Sequence, residues 1–448
     1  MAEPLPEQVA FDLPWMARSS LGFLATNGVL LGLGVAQSIL TARLLGPQGK
    51  GTLFIALLTT STIAQLLSFS VGISLQFHVG RGEVKAATAG TLAILFAVVV
   101  GGAGALTLSL APLWAALGFP LERSTQQLTL VMAPLIPAEM LVLSLGALFI
   151  ATNLVPHRLV IDTAQAALAL ALVLVLVQGV GRGVRGAVEA LLLANLTAAG
   201  LLVAVYAKAH GLSLGGLAPA LGSVLRFGVR QHGAAVMARA LKRIDSYILL
   251  YFWGTSAVGI YSVALSLAEI PLIVGRSIQG VLLSFVSRAA PPEGSRTTAR
   301  ITRMLLPALL VIQLLYAGAA LWMLPVVFGA AFASASWPFL ILLAATLCLS
   351  VYVVLSGYLS GSGHPEELTR IMALSLVANI ILSLVLVPTL SLSGNALATS
   401  LAALLTMVAA VGAFRRIGRI GAREVIVVRA TDWVQARRWL GRLTGRGR

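Results

Sequence analysis

Within residues 234–253, AAVMARALKRIDSYILLYFW, three cations and a carboxylate interrupt a run long enough to cross a bilayer. Arg239 and Arg243 are four residues apart, and His232 lies seven before Arg239, so the three share one helical stripe. Lys242 is rotated modestly from that stripe, and Asp245 follows it at a spacing that lets the two pair. One arginine at the centre of a lipid-facing helix costs about 2.5–3.5 kcal/mol on insertion scales, so three such cations would cost roughly 8–10 kcal/mol together. They are therefore expected to face a watery cavity or an anionic partner. The chemistry that suits them is binding, because a guanidinium fork takes a phosphate bidentately. The alternative is internal pairing with Asp245, Glu269 or Glu139, with the cations fixing helix packing.

The elements that position this stripe must be membrane helices. Residues are 58% hydrophobic and only 10% charged, and mean hydropathy is +0.96. A soluble domain carries about a quarter of its residues as charge. The net charge of +16 sits mostly in short connections and in the tail, so membrane topology explains it before nucleic acid does. The lone cysteine, Cys348, lies in an apolar run and reads as an inert buried thiol. The N-terminus lacks the basic region of a cleaved signal peptide, which makes the first span the expected insertion signal.

Twelve spans are expected, centred near Leu31, Ala64, Val98, Leu141, Leu170, Ala198, Ala240, Ala268, Leu314, Ala345, Val377 and Leu404. The longest connections are HGLSLGGLAPALGSVL and RAAPPEGSRTTARITR. With the N-terminus in the cytoplasm, the inside loops hold most of the arginines. The outside loops hold only Arg43, Lys50, Arg123, Arg182 and Arg185. That asymmetry puts both termini inside.

The chain also repeats itself. Gly46 and Gly254, Gly51 and Gly259, Gly72 and Gly280, and Gly186 and Gly394 are each 208 residues apart. Six spans per copy is an even number, so the copies enter the membrane from the same side. The fold class expected is an all-α polytopic membrane protein of two parallel six-helix repeats, with the path between them. The divisions are a cytoplasmic segment 1–19, an N-lobe 20–209, a cytoplasmic linker 210–225, a C-lobe 226–414 and a basic amphipathic tail 415–448.

The stretches TARLLGPQGKGTLFIALL and LLSFSVGISLQFHVGRG resemble the opening of the polysaccharide-transporter branch of the multidrug/oligosaccharidyl-lipid/polysaccharide (MOP) exporter superfamily. RIDSYILLYFWGTSAVGIYSVALSLAEIP, LPVVFGAAFASASWPFLILL and VPTLSLSGNALATSLAALLTMV agree with it in the second half. The resemblance implies two six-helix lobes of MATE-like form around a central cavity. It implies a flippase that carries undecaprenyl-diphosphate-linked oligosaccharides across the bacterial inner membrane for O-antigen, exopolysaccharide or capsule synthesis. Peptidoglycan-precursor flippases usually have two further helices.

In that frame Arg239 and Arg243, with Lys242, are the expected diphosphate ligands. Asn27, Gln37 and Gln65, on the first two spans, are expected to line the same cavity and contact sugar hydroxyls, or else to bond helix to helix. Arg43 at the outer end of the first span either receives the departing diphosphate or snorkels to the interface. Glu269, beside Pro271, and Asp245 are the candidates for a coupling proton or sodium ion, with Glu139 and Asp162 weaker ones. No cofactor or metal is expected.

The tail, with Trp433 and Leu440 on one face and Arg437 and Arg438 beside or opposite it, reads as an interfacial helix on anionic lipid. Contact with a polymerase or glycosyltransferases is a further expectation there. Enzyme motifs are absent: the five histidines are scattered, and there is no Walker lysine and no G-x-S-x-G elbow. The rivals are a cation-coupled drug antiporter and a non-transporting partner of a glycan-assembly complex. The first is disfavoured by a cavity charge that is mainly basic.

Overall fold

The computed structural model describes residues 13–108, 123–287, 290–421 and 424. Three helices are too long for one crossing. α1 (Leu13–Leu67) has 55 residues, or roughly 80 Å, against a hydrocarbon core of about 30 Å. It folds back at Gly46, whose φ of 67° and ψ of −179° leave the helix, and Pro47 starts the returning arm. The order continues with α2 (Val71–Gly80), α3 (Ala86–Thr107), α4 (Arg123–Val131), α5 (Leu135–Ala151), α6 (Val155–Val173) and α7 (Gly183–His210). The second half holds α8 (Leu217–Ala268), α9 (Leu272–Val286), α10 (Pro291–Met323), α11 (Ser336–Gly361) and α12 (Pro365–Gly418). α8 folds back at Gly254 and α12 at Ser391. Glu367 at the start of α12 meets Arg416 near its end at 2.7 Å, which closes that hairpin.

Counted as passes, the described residues cross twelve times. The first is 13–45 and the second 47–80, broken at 68–70; the third is α3 and the fourth α4 with α5. The fifth, α6, ends in a π-turn at 174–179, and the sixth is α7. The seventh is 217–253 and the eighth 255–286, broken at 269–271. The ninth, α10, ends in a π-turn at 324–328; the tenth is 330–361, the eleventh 365–390 and the twelfth 392–418. The expected all-α architecture of two six-helix lobes holds.

The 208-residue register is visible in the backbone. Gly254 has φ 73° and ψ −174°, close to Gly46. Gly183 (φ 55°) corresponds to Ser391 (φ 53°), and Gly211 (φ 71°) to Arg419 (φ 51°). The lobes meet on the repeat's own axis. A Cβ on Gly51 would press on the carbonyl of Thr255, and one on Gly259 would press on the carbonyl of Pro47. Gly51 and Gly259 are equivalent in the repeat, as are Pro47 and Thr255. Two symmetry-related helices therefore cross backbone to backbone. Small residues permit this in a membrane, where close packing replaces the hydrophobic drive.

Three connections differ from expectation. The central linker is short, since helix resumes at Leu217. RAAPPEGSRTTARITR is helical from Pro291: proline suits the first helical turn, and Thr298 and Thr302 bond back to the carbonyls of Gly294 and Thr298. Lys50 is not in an outside loop, because Gly46 alone makes the turn and the second pass has already begun. The tail beyond residue 424 lies outside the described residues.

The Thr59 and Tyr247 hydroxyls lie 3.3 Å apart across the lobes and make a gauge of the crossing. Gly259→Val, whose side chain would collide with the Pro47 carbonyl, is expected to part the lobes there, to break the Tyr247–Thr59 contact and to lower the thermal midpoint of the purified protein by several degrees.

Candidate functional site: a cationic seam between the lobes

The second and seventh passes form the seam. His232 Nε2 lies 2.9 Å from the carbonyl of Leu66, and its ring stacks obliquely on Phe69 beside the break in the second pass. Further along, an Arg239 Nη donates to Ser61 Oγ. The Arg243 guanidinium sits 6.0 Å over the Phe54 ring, and its Nη1 is 3.6 Å from Glu269 Oε1. The stripe read from spacing thus faces the other lobe.

Residues distant in sequence complete the cluster. Glu139 on α5 is within electrostatic reach of Arg239, and Arg276 on α9 is within reach of Lys242. Arg276 was not among the expected ligands; it lies seven residues beyond Glu269, across the break at 269–271, so spacing gave no reason to aim it here. Four cations, Arg239, Lys242, Arg243 and Arg276, face two carboxylates, Glu139 and Glu269, and a third, Asp245, is within electrostatic reach of Arg243 from inside the C-lobe. Lys242 and Arg276 are exposed, while Arg239 and Arg243 are half-buried. Arg239 Nε and Arg243 Nη1 are shut off from solvent with no hydrogen-bond partner. Buried donors normally find an acceptor, so these two are open positions for one. Internal pairing is partly realised, through Glu269 and Glu139, but leaves cationic charge over.

The expected pairing of Lys242 with Asp245 does not form. Asp245 is rotated well away from the arginines and points into the C-lobe, where it is 2% exposed. It accepts from Tyr261 Oη and Thr399 Oγ1, both at 3.0 Å, and from the Ser246 amide at 2.7 Å. Nearby on α12, Asn379 Oδ1, Ser383 Oγ and both side-chain polar atoms of Asn395 are buried without hydrogen-bond partners. The Thr406–Ser375 bond at 2.7 Å sets the antiparallel register of the last two passes and brings Ser383 level with Thr399.

The other expected residues scatter. Arg43 does not stand free. Its Nε donates to Val327 O at 2.7 Å and an Nη to Val326 O. Those carbonyls belong to the π-turn ending the ninth pass, so Arg43 ties the first pass to the other lobe near the Gly51–Gly259 crossing. Gln65 turns to the break, with Nε2 3.4 Å from Ser68 Oγ. Gln37 lines a chamber inside the N-lobe rather than the seam. The side chain of Asn27 lies outside the described residues, and Asp162 is held by Arg158 at 3.4 Å. Among the described residues there is no cluster of three or more metal-binding side chains.

The same arrangement of passes recurs in solved structures. A lipid II flippase, MurJ, in an inward closed conformation superimposes with a TM-score of 0.68 at 14% identity, covering 89% of this chain and 90% of that one. An inward-facing multidrug resistance MATE family transporter of the MOP superfamily gives 0.65 at 15% identity, covering 91% of this chain and 98% of that one. The chain has the fold of the MOP superfamily. No family model matches the sequence. Among curated proteins, the probable low-salt glycan biosynthesis flippase Agl15 of Haloferax volcanii is 25% identical over 162 residues. That match spans about a third of each protein: 35% of this chain and 34% of the relative. Within the MOP fold, the seam described above lies between the two lobes of a multi-pass membrane protein.

Arg43 holds two carbonyls with charge-assisted bonds, each worth about 1.5–3 kcal/mol. Arg43→Ala is expected to loosen that end. Spin labels at Gln48 and Trp322, both exposed, should show a longer and broader distance distribution in the variant than in the parent.

Proposed function

We propose that the protein is a flippase for undecaprenyl-diphosphate-linked oligosaccharides in the bacterial inner membrane, with both termini cytoplasmic, serving surface polysaccharide synthesis. The observation that carries this reading is the pair of buried guanidinium donors without a hydrogen bond, Arg239 Nε and Arg243 Nη1, the second ion-paired with Glu269 at 3.6 Å, within a cluster whose cations outnumber its carboxylates. A diphosphate spreads negative charge over several oxygens and matches two guanidinium forks. Lys242 and Arg276, exposed beside them, add long-range attraction. The name of the partial relative, a glycan biosynthesis flippase, is consistent with this cargo.

The head group enters the seam while the lipid tail stays in the bilayer. Displacing Glu269 from Arg243 frees that guanidinium for the phosphate. Release on the other side requires the Gly51–Gly259 crossing and the Arg43 bonds to part, which is alternating access by rocking of two lobes. The anionic lipid and glycan-assembly partners expected of the basic tail stay part of the proposal.

The test is binding of an undecaprenyl-diphosphate-linked oligosaccharide to purified protein, wild type against Arg239→Ala/Arg243→Ala. The double variant is expected to lose at least tenfold in affinity while inserting normally. Equal binding by both would make the arginines packing residues. Transport of organic cations in place of lipid would favour the drug antiporter.

Coupling to an ion is proposed at Asp245 rather than Glu269, which is paired with Arg243. A carboxylate beside buried oxygens that lack partners suits a hard monovalent cation such as sodium. Asp245→Asn is expected to abolish any sodium dependence of lipid export. Equal sodium dependence in the variant would remove Asp245 from the coupling.

A further inference from the structure

The N-lobe contains a chamber of about 540 Å³ between the first, second, fifth and sixth passes, apart from the arginine cluster. Its polar wall includes Gln37, Lys50, Asp162, Gln165 and Asn195, and Leu53 and Leu57 supply apolar surface. Pockets of this size take small organic ligands.

The hydrogen-bonding state of the wall says what is missing. Lys50 Nζ donates to Thr41 Oγ1 at 2.7 Å and lies 3.3 Å from both Ser38 O and Ser38 Oγ. All three are uncharged oxygens, and no carboxylate pairs with Lys50 among the described residues. A cation held within the membrane by neutral oxygens alone is left without a counter-charge. Gln165 Nε2 donates to Asn195 Oδ1 at 2.7 Å, and Asn195 Nδ2 to Leu191 O at 2.8 Å, which leaves the Gln165 carbonyl oxygen open. The Gln37 amide makes no side-chain hydrogen bond among the described residues, so it offers both a donor and an acceptor.

Open donors and acceptors side by side suit hydroxyl groups, and an ammonium without a counter-charge suits an anion. Asp162 on the same wall is already paired with Arg158, so Lys50 is the one unmatched charge among the described residues of that wall and suits a single negative charge. We infer that this chamber is a subsite for a carboxylate-bearing sugar, with Lys50 binding the carboxylate and Gln37 and Gln165 binding hydroxyls. The inference deepens the flippase reading and rests on it: the diphosphate lies in the seam, and an acidic sugar of the repeat unit lies in the N-lobe.

Saturation-transfer NMR on the purified protein, with glucuronate, glucose and inorganic phosphate as probes, tests it. Glucuronate is expected to bind, and glucose and phosphate to bind at least tenfold more weakly. Lys50→Met should remove the preference for glucuronate over glucose. Gln37→Leu, which leaves the charge in place, should weaken both sugars. Undecaprenyl diphosphate without sugar, measured in parallel, should bind all three proteins equally. The subsite is overturned if wild type binds no glucuronate while still binding the diphosphate lipid, if phosphate binds as well as glucuronate, or if Lys50→Met keeps the preference. Loss of diphosphate binding alone would overturn the arginine site and leave the chamber standing.

Discussion

Gly51 and Gly259 let two helices cross with their backbones in contact, and the relation between the lobes follows from that crossing. The contact joins equivalent positions of the repeat, so it marks the axis about which one lobe maps onto the other. A side chain at either glycine would occupy space held by a backbone carbonyl, which has no rotamer to escape into. With the axis fixed there, the second and seventh passes run together, and Ser61, Thr59 and Phe54 of one lobe meet Arg239, Tyr247 and Arg243 of the other.

The two lobes share a backbone and differ in what they bury. The C-lobe encloses a carboxylate, Asp245, with hydroxyls turned toward it. The N-lobe has Gln37 at the equivalent position and holds an ammonium, Lys50, turned toward hydroxyls. Between them lies a third polar region, the seam, with arginines from one lobe against a serine, an aromatic ring and a glutamate from the other. Each polar cluster has a different sign or balance of charge, and each has buried or inward-facing groups without a protein partner. Symmetry supplies the frame, and divergence of side chains within it supplies three distinct chemical environments.

Much of this was legible in the sequence. The span count came from hydropathy, and the 208-residue register came from glycines whose backbone conformations match in the structure. The helical spacing of His232, Arg239 and Arg243 placed them on one face, and that face meets the other lobe. Lys50 was misread because Gly-Pro-Gln-Gly before it looks like a loop, whereas one residue in a left-handed conformation turns the chain. Asp245 was misread because a three-residue spacing permits a pair with Lys242, but three buried donors inside the C-lobe outcompete one exposed ammonium. Glu139 was among the partners expected for the cations, whereas Arg276 joins the cluster through tertiary packing, which no local spacing encodes.

The imbalance of the seam also has an electrical side. Four cations against Glu139, Glu269 and the Asp245 that lies behind Arg243 leave positive charge in excess within the membrane's span. Moving one charge through the whole transmembrane field involves about 2.3 kcal/mol per 100 mV. A dianion of the kind proposed above would offset or reverse that excess, so the loaded and the empty protein would carry different charge in the field. The membrane potential would then bear differently on the two reorientations of the proposed cycle.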